Sequence, residues 1–256
     1  MSVGVEFIAL PGLPEVGAGD DLAALTRAAL VRSGHVLRAS DVLVVAQKIV
    51  SKAEGRRIRL SEVSPSDEAR ALAERVLKDP RFVELVLAES LEVIRAVPNI
   101  LITRHRSGHV MANAGIDRSN VPAEPAASAD DEAVLLLPRD CDASAASLRA
   151  ALAPESPAVI ISDSFGRPWR QGTVNVALGV AGFPSLLDLR GGVDREGRRL
   201  QTTQIATADA VAAGAGLVMG ETTEGRPIVL VRGLDFSGPV RDGRALLRPI
   251  DEDLFR

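Results

Sequence analysis

The sequence predicts a mixed α/β fold, and its composition and its pattern of elements both support that prediction. The chain of 256 residues is 46% hydrophobic and 25% charged, which is the balance of a globular protein with a sizeable core. Short β-branched apolar runs and stretches with helical spacing are interspersed without a regular βαβ rhythm. We therefore expect an α+β or mixed α/β fold with a mixed sheet, a single compact unit with room for a small subdomain. No phosphate-binding glycine motif supports a Rossmann or P-loop fold.

The expected elements follow from local signals in chain order. Apolar β-branched runs predict strands over residues 3–10, 42–50, 134–137, 159–162 and 228–231. Apolar spacing of three and four predicts helices over 22–30, 65–96, 144–152 and 206–217, the second of them broken near Asp79-Pro80. Residues 100–103 and 109–112 read as a hairpin, and the Pro- and Ala-rich segment 121–131 as a linker or flap.

Composition excludes several classes of function. A net charge of −4 argues against a protein that coats nucleic acid, and the absence of Tyr with a single Trp leaves little for base stacking. One cysteine rules out an internal disulfide, and no apolar run approaches a membrane span. The N-terminus carries no visible secretory signal. These features predict a cytoplasmic protein that binds neither membrane nor nucleic acid.

Residues 113–120 form the first polar stretch that could carry chemistry. They contain an aspartate, a serine and two asparagines around Gly115, oxygen donors that suit a divalent metal and a nucleotide. The alternative is an Asx-rich turn, in which the side chains bond only to nearby backbone, and spacing alone favours that alternative.

Residues 161–172 form the second stretch, where a buried strand delivers Asp163 and Ser164 at its end. Hard oxygen donors of this kind select Mg²⁺ or Mn²⁺, and Arg167 and Arg170 suit phosphate or carboxylate. The alternative makes Asp163 the N-cap of a following helix, which Pro168 disfavours.

A basic stretch over residues 47–52 is the third candidate. Lys52 could reach a triphosphate, with backbone N–H groups of the 11–14 turn alongside, although a lone lysine is usually just solvated. From the residues alone, the chain is a divalent-metal enzyme that handles phosphates.

Together and in this order, these stretches resemble the coenzyme F420-0:L-glutamate ligase family, which comprises GTP-dependent ligases that add γ-linked glutamates to a deazaflavin cofactor. The resemblance runs from about residue 5 to the C-terminus. It is carried by segments 10–15 (LPGLPE), 44–55 (VVAQKIVSKAEG), 112–121 (ANAGIDRSNV), 162–170 (SDSFGRPWR), 217–220 (LVMG) and 231–233 (VRG).

The resemblance implies a set of site residues. Asp117 and Asp163 would bind a first divalent metal, and Ser164 with Glu221 a second, although Gln204 competes with Glu221 for that place. The positions that would hold GTP are Leu13, Pro14, Glu15, Val16, Gln47, Lys52, Asn120, Met219, Gly220 and Thr222. Residues 1–256 would form one ligase domain without the C-terminal nitroreductase-like domain of bifunctional relatives, working as a homodimer.

The resemblance also implies the chemistry. GTP would phosphorylate the carboxylate of coenzyme F420-0, and the amine of L-glutamate would then attack the acyl phosphate. Two Mg²⁺ or Mn²⁺ ions would clamp the phosphates, with K⁺ a further candidate cation. Arg167 and Arg170 are the candidate catalytic residues, and segment 121–131 would exclude water. One alternative is a metal-dependent phosphohydrolase that uses the same aspartates without an amine acceptor. Ala210 stands where many relatives are acidic, which keeps a non-catalytic nucleotide-binding paralogue as a second alternative.

Overall fold

The computed structural model describes residues 4–119, 132–235 and 237–253, and they form a mixed α/β structure, as the sequence predicts. The strands are β1 (Glu6–Ala9), β2 (Val42–Ala46), β3 (Arg57–Arg59), β4 (Ser90–Val97), β5 (Ile100–His105), β6 (Val110–Ala112), β7 (Ala133–Leu135), β8 (Ala158–Arg167), β9 (Arg170–Ala181), β10 (Leu187–Asp188), β11 (Gln204–Ile205) and β12 (Ile228–Arg232). The helices are α1 (Leu22–Arg32), α2 (Gln47–Ala53), α3 (Asp67–Val76), α4 (Pro80–Ala88), α5 (Cys141–Ala151) and α6 (Thr207–Met219).

The chain divides into two compact units. The first comprises Met1–Val16, Asp20–Val50 and Asp140–Arg256, and the second comprises Gly17–Gly19 and Ser51–Arg139. The smaller second unit corresponds to the subdomain for which the sequence prediction left room. In the three described ranges, no helix is both long enough and apolar enough to cross a membrane.

The first unit is built on a mixed sheet with the strand order β1-β12-β2-β8-β9. β2 and β8 run parallel, and every other neighbouring pair in this sheet is antiparallel. Because β12 runs antiparallel to both β1 and β2, strands β1, β2 and β8 all point the same way. Their carboxyl ends therefore meet at one edge of the sheet, which we call the carboxyl edge.

Helix α6 packs against this sheet and holds it through small residues. Ala208, Ala212 and Ala215 are buried in one cluster with Val44 of β2 and Ile160 of β8. Two glycines of the helix admit larger side chains from both edge strands. A Cβ on Gly214 would lie 2.4 Å from the Phe7 ring of β1, and one on Gly216 would lie 2.6 Å from Asn175 Nδ2 of β9. The two outermost strands of the sheet, β1 and β9, thus both contact helix α6.

The second unit has its own core under helices α3 and α4. Leu60, Phe82 and Leu101 are among its fully buried members. Its strands form a three-stranded sheet, β4-β5-β6, and a two-stranded sheet, β3-β7. A buried ion pair joins Arg56 Nη2 to Glu89 Oε2 at 2.8 Å. The positive charges of Arg56 and Arg106 and the hydrogen bond with His105 hold the pKa of Glu89 below its usual value, against the opposing effect of burial.

Several predicted boundaries are wrong, each for a local reason. Strand 42–50 ends at Ala46, because the buried run continues into α2, and periodicity alone does not separate a buried strand from a short buried helix. Helix 65–96 breaks at Asp79 as predicted, but residues 90–97 form β4, whose β-branched side chains also matched helical spacing. Helix 144–152 begins three residues earlier, at Cys141, with Asp140 as its N-cap.

The antiparallel strand β9 is the longest of the elements that the sequence did not predict, the others being the short strands β3, β10 and β11. The sequence predicted that the strand beside it, β8, ends at residue 162, whereas β8 continues to Arg167. The two strands form a long hairpin that carries most of the second polar stretch. The structure confirms three other predictions within a few residues: the hairpin over 100–103 and 109–112, the strand over 228–231 and the helix over 206–217.

Candidate active site at the carboxyl edge of the sheet

The ends of β2 and β8 bring two predicted site segments together. Ala46, the last residue of β2, pairs with Ser162 of β8, so Gln47 and Asp163 follow a directly paired position. Gln47 begins α2 and is only 1% exposed, while β8 continues through Asp163 and Ser164. The polar residues of both strands therefore begin at the same edge.

The segment over residues 13–16 leaves the same edge. It follows β1, whose carboxyl end is anchored where the Leu10 N–H donates to the Ile228 carbonyl at 2.9 Å. Ile228 in turn pairs with Val45 of β2. Val16 is buried and Glu15 is exposed. The predicted nucleotide segment thus starts two strands away from Gln47, at the same edge of the sheet.

The C-terminal end of α6 reaches this edge as well. Asn175, which contacts Gly216, pairs with Ser164 in the β8–β9 register. Three residues after Gly216 the helix ends at the buried Met219, and Gly220 adopts a positive φ of 79°. The Thr222 N–H donates to Glu224 Oε2 at 2.8 Å, and this bond lowers the pKa of Glu224. The turn leaves Glu221 exposed to solvent.

Two polar groups at the carboxyl edge, the buried Ser162 and the half-buried Asp209, were not predicted from the sequence. Ser162 is 1% exposed, and its Oγ has no hydrogen-bond partner among the described residues. Asp209 of α6 accepts a hydrogen bond from the Ala177 N–H at 2.9 Å, beside the bulge opposite Ser162. Burial raises the pKa of Asp209. Strand alternation could have indicated Ser162, whereas Asp209 depends on the packing of α6 against β9.

The arginines of the second polar stretch lie at the tip of the β8–β9 hairpin. Arg167 and Arg170 pair with each other across the two-residue loop Pro168-Trp169. Since β8 continues into this hairpin, the alternative that Asp163 caps a helix is wrong. Trp169 has a φ of 63°, a left-handed conformation that costs a residue with a side chain about 1–2 kcal/mol.

The first polar stretch lies in the second unit, where Asp117 forms an Asx turn. Its Oδ1 accepts hydrogen bonds from the Ser119 N–H and hydroxyl, each at 2.8 Å. The local Asx turn, which the sequence left as the alternative, is therefore present at Oδ1 of Asp117. Metal binding by Asp117 and Asp163 stays a prediction. Lys52 lies in the last turn of α2. Asn120 and the predicted flap over 121–131 lie outside the described residues.

The candidate metal ligands match a hard divalent cation in their donor chemistry. Asp163 and Glu221 supply carboxylate oxygens and Ser164 a hydroxyl, the donors that Mg²⁺ and Mn²⁺ prefer. Within the described ranges, no three His, Cys, Asp or Glu side chains form a group that could hold a metal by themselves. Mg²⁺ is commonly bound by one or two carboxylates with substrate phosphates completing its shell, and the donors at this edge fit that mode of binding.

The fold and the site define a mixed α/β protein with an oxygen-rich candidate site at one edge of its sheet. Residues 12–233 match the family described as F420-0:Gamma-glutamyl ligase, and the chain belongs to that family. It is 46% identical to the "Coenzyme F420:L-glutamate ligase" of Methanothermobacter thermautotrophicus, over 99% of this chain and 100% of the relative. The proteins of the same name from Methanopyrus kandleri and Methanococcus maripaludis are 44% and 37% identical, over 94% and 99% of this chain and 94% and 98% of theirs.

Proposed function

We propose that this protein is an enzyme that joins L-glutamate to coenzyme F420-0 through a γ-linkage, driven by GTP and divalent metal ions. Membership of the family and the names of its relatives support the glutamate ligation. The observation that carries the site is the carboxyl edge, where residues 13–16, Gln47, Asp163–Ser164 and the end of α6 converge.

The chain's own residues divide the work at this edge. Leu13–Val16, Gln47 and the loop from Met219 to Thr222 bind the nucleotide, with Lys52 and Asn120 as further contacts. Asp163, Ser164 and Glu221 would hold the metal ions, and the role of Asp117 as a metal ligand rests on the family resemblance alone. When bound, Mg²⁺ or Mn²⁺ neutralises charge on the transferring phosphoryl group.

The reaction requires activation because a carboxylate has no adequate leaving group for attack by an amine. An acceptor carboxylate oxygen attacks the γ-phosphorus of GTP, GDP leaves, and an acyl phosphate forms. The neutral α-amine of glutamate then attacks the acyl carbon, and inorganic phosphate leaves with one proton released. Arg167 and Arg170 bind the anionic acceptor or phosphate, because guanidinium groups pair well with both. A homodimer in the cytoplasm is part of the same proposal.

Mass spectrometry of the acceptor tests the proposed function directly. Purified protein is incubated with coenzyme F420-0, L-glutamate, GTP and Mn²⁺, and parallel reactions omit one component each or add a chelator. We expect mass gains in glutamyl steps that require all four components, with GDP and phosphate formed in equal amounts. GTP hydrolysis without any mass gain would replace the ligase with a phosphohydrolase, and binding without turnover would indicate a paralogue that only binds nucleotide.

A further inference from the structure

The tip of the β8–β9 hairpin exposes the only tryptophan of the chain. Trp169 is 88% exposed and occupies the second position of the two-residue loop between Arg167 and Arg170. Other apolar side chains of the first unit are exposed, Leu217 to the same extent, but Trp169 is the largest of those in the described residues. Nothing in the packing of the unit accounts for it.

The turn itself also does not account for a tryptophan. A proline followed by a residue with positive φ is the pattern of a type II turn, and glycine or asparagine is the residue that suits the second position. The chain therefore keeps a large planar side chain at a backbone position that disfavours it. Such a combination is common where a side chain serves binding rather than folding.

The two flanking arginines are poorly satisfied within the protein. Arg167 Nε is buried without a hydrogen-bond partner among the described residues, and Nη2 makes only a 3.5 Å contact with the Gln171 carbonyl. Arg170 is exposed and forms no ion pair within the described ranges. An indole between two guanidinium groups matches a ligand with a flat ring and an anionic chain.

We propose that Trp169 stacks on the deazaflavin ring of the acceptor, while Arg167 and Arg170 hold its anionic chain. This inference rests on the proposed function and adds an acceptor-specificity residue to it. Ser164 and Arg167 are three residues apart on β8, about 10 Å at the rise of a strand, and Trp169 lies beyond Arg167 in the loop. That span suits an acceptor whose ring lies at one end and whose reacting carboxylate lies at the other.

Intrinsic fluorescence tests this contact without requiring turnover. The protein has no Tyr and one Trp, so its fluorescence under indole excitation comes from Trp169 alone. We expect saturable quenching on titration with coenzyme F420-0, after correction with free N-acetyltryptophanamide for light absorbed by the ligand. L-glutamate alone should leave the emission unchanged. No saturable quenching by the acceptor would overturn the proposal.

The variant Trp169→Gly separates binding from folding, because glycine relieves the left-handed backbone while removing the ring. We expect an unaltered or higher unfolding temperature, an acceptor KM raised about tenfold, and an unchanged KM for GTP. Trp169→Phe should restore most of the acceptor affinity.

The matched control is Leu77→Gly, which removes another exposed apolar residue from a left-handed position, φ 55°. It should leave the acceptor KM unchanged. An acceptor KM unaltered in Trp169→Gly would overturn the proposal, as would dissociation of an oligomer in sedimentation, which would assign the indole to a contact between copies. If glutamate is added without quenching, the proposed function stands and the stacking fails. If the acceptor quenches the Trp169 fluorescence but gains no glutamate, the stacking stands and the proposed ligase activity fails.

Discussion

The polar groups at the two ends of the parallel strands β2 and β8 differ in how fully they are hydrogen-bonded. At the amino end, the fully buried Asp41 carboxylate accepts from Arg232 Nε and Nη2 at 2.9 and 2.7 Å and from the Arg38 N–H at 2.9 Å. At the carboxyl edge, the Ser162 hydroxyl has no partner within the described ranges, and Asp209 accepts one backbone hydrogen bond. The carboxylate at the amino end is fully hydrogen-bonded, whereas the Ser162 hydroxyl at the carboxyl edge is not.

This difference separates a structural end of the sheet from a binding end. A buried polar group without a partner costs about 1–3 kcal/mol, so selection for stability alone would have removed it. In this protein the Ser162 hydroxyl is one such group at the carboxyl edge, and others, such as Thr103 Oγ1 and Arg149 Nε, lie elsewhere. Sites that bind ligands commonly accept a loss of stability of this kind. The comparison predicts that substitutions at the two ends will affect different properties.

The largest expected effect is on activity at the binding end. Asp163→Asn removes a metal-binding charge, and we expect the rate of glutamate addition to fall about a thousandfold. Mn²⁺ affinity in the presence of a non-hydrolysable GTP analogue should fall as well. The unfolding temperature should change little, because Asp163 is only partly buried and the amide has the same shape.

The charge-matched control for that substitution is Asp188→Asn, in the half-buried β10 of the same unit. It should retain the wild-type rate and Mn²⁺ affinity. An Asp163→Asn enzyme within about threefold of the wild-type rate would remove Asp163 from the metal site.

The next effect is on stability at the structural end. Arg232→Met leaves the Asp41 carboxylate buried without its partner, and we expect the free energy of unfolding to fall by about 3 kcal/mol. The KM for GTP should stay unchanged. Chemical denaturation measures the loss, and Arg190→Met serves as the comparison because Arg190 is exposed and its partner Asp188 is only half-buried. Equal losses in both variants would contradict the assignment of the Asp41–Arg232 pair as a buried structural lock.

Much of the fold was accessible from the sequence where local signals were strong. Asp79-Pro80 supplied both an N-cap and a first-turn proline, and the break between α3 and α4 follows. β9 was missed because it begins with polar residues and contains a bulge opposite Ser162, so its pattern does not alternate cleanly. Strand pairing across the sheet, rather than local propensity, decides such an element.

The candidate site divides in the same way. Asp163 and Ser164 were accessible because polar residues directly following a buried apolar strand are conspicuous. The roles of Ser162 and Asp209 were not, because their surroundings are set by Ala46, Ala177 and other residues distant in the chain. Sequence resemblance supplies residue roles, and the register of the sheet decides which residues share an edge.

A smaller effect is expected for Ser162→Ala. Removing a buried hydroxyl without a partner should leave stability unchanged or raise it by up to about 1 kcal/mol. If the hydroxyl bonds to bound nucleotide or metal-bound water, the rate should fall about tenfold. Ser185→Ala is the matched control, since that buried hydroxyl donates to the Asp242 carbonyl. It should lose about 1 kcal/mol of stability at an unchanged rate. The opposite pattern in the two variants would remove the distinction between satisfied and unsatisfied groups.

The smallest effect is the pH dependence of stability at Asp209. Burial raises the pKa of this carboxyl above 3.8, so the folded state binds its proton more tightly than the unfolded state does. The stabilisation is therefore fully present below the unfolded pKa and is lost as pH rises through the folded pKa. Asp209→Asn keeps an oxygen for the Ala177 N–H without the charge. We expect its unfolding temperature to exceed the wild-type value by about 2 °C at neutral pH, with the difference vanishing at low pH.

Glu84→Gln should behave oppositely, losing stability at neutral pH, because hydrogen bonds from Ser66 lower the pKa of Glu84. A pH-independent difference between Asp209→Asn and wild type would show that the buried charge at the carboxyl edge carries no cost.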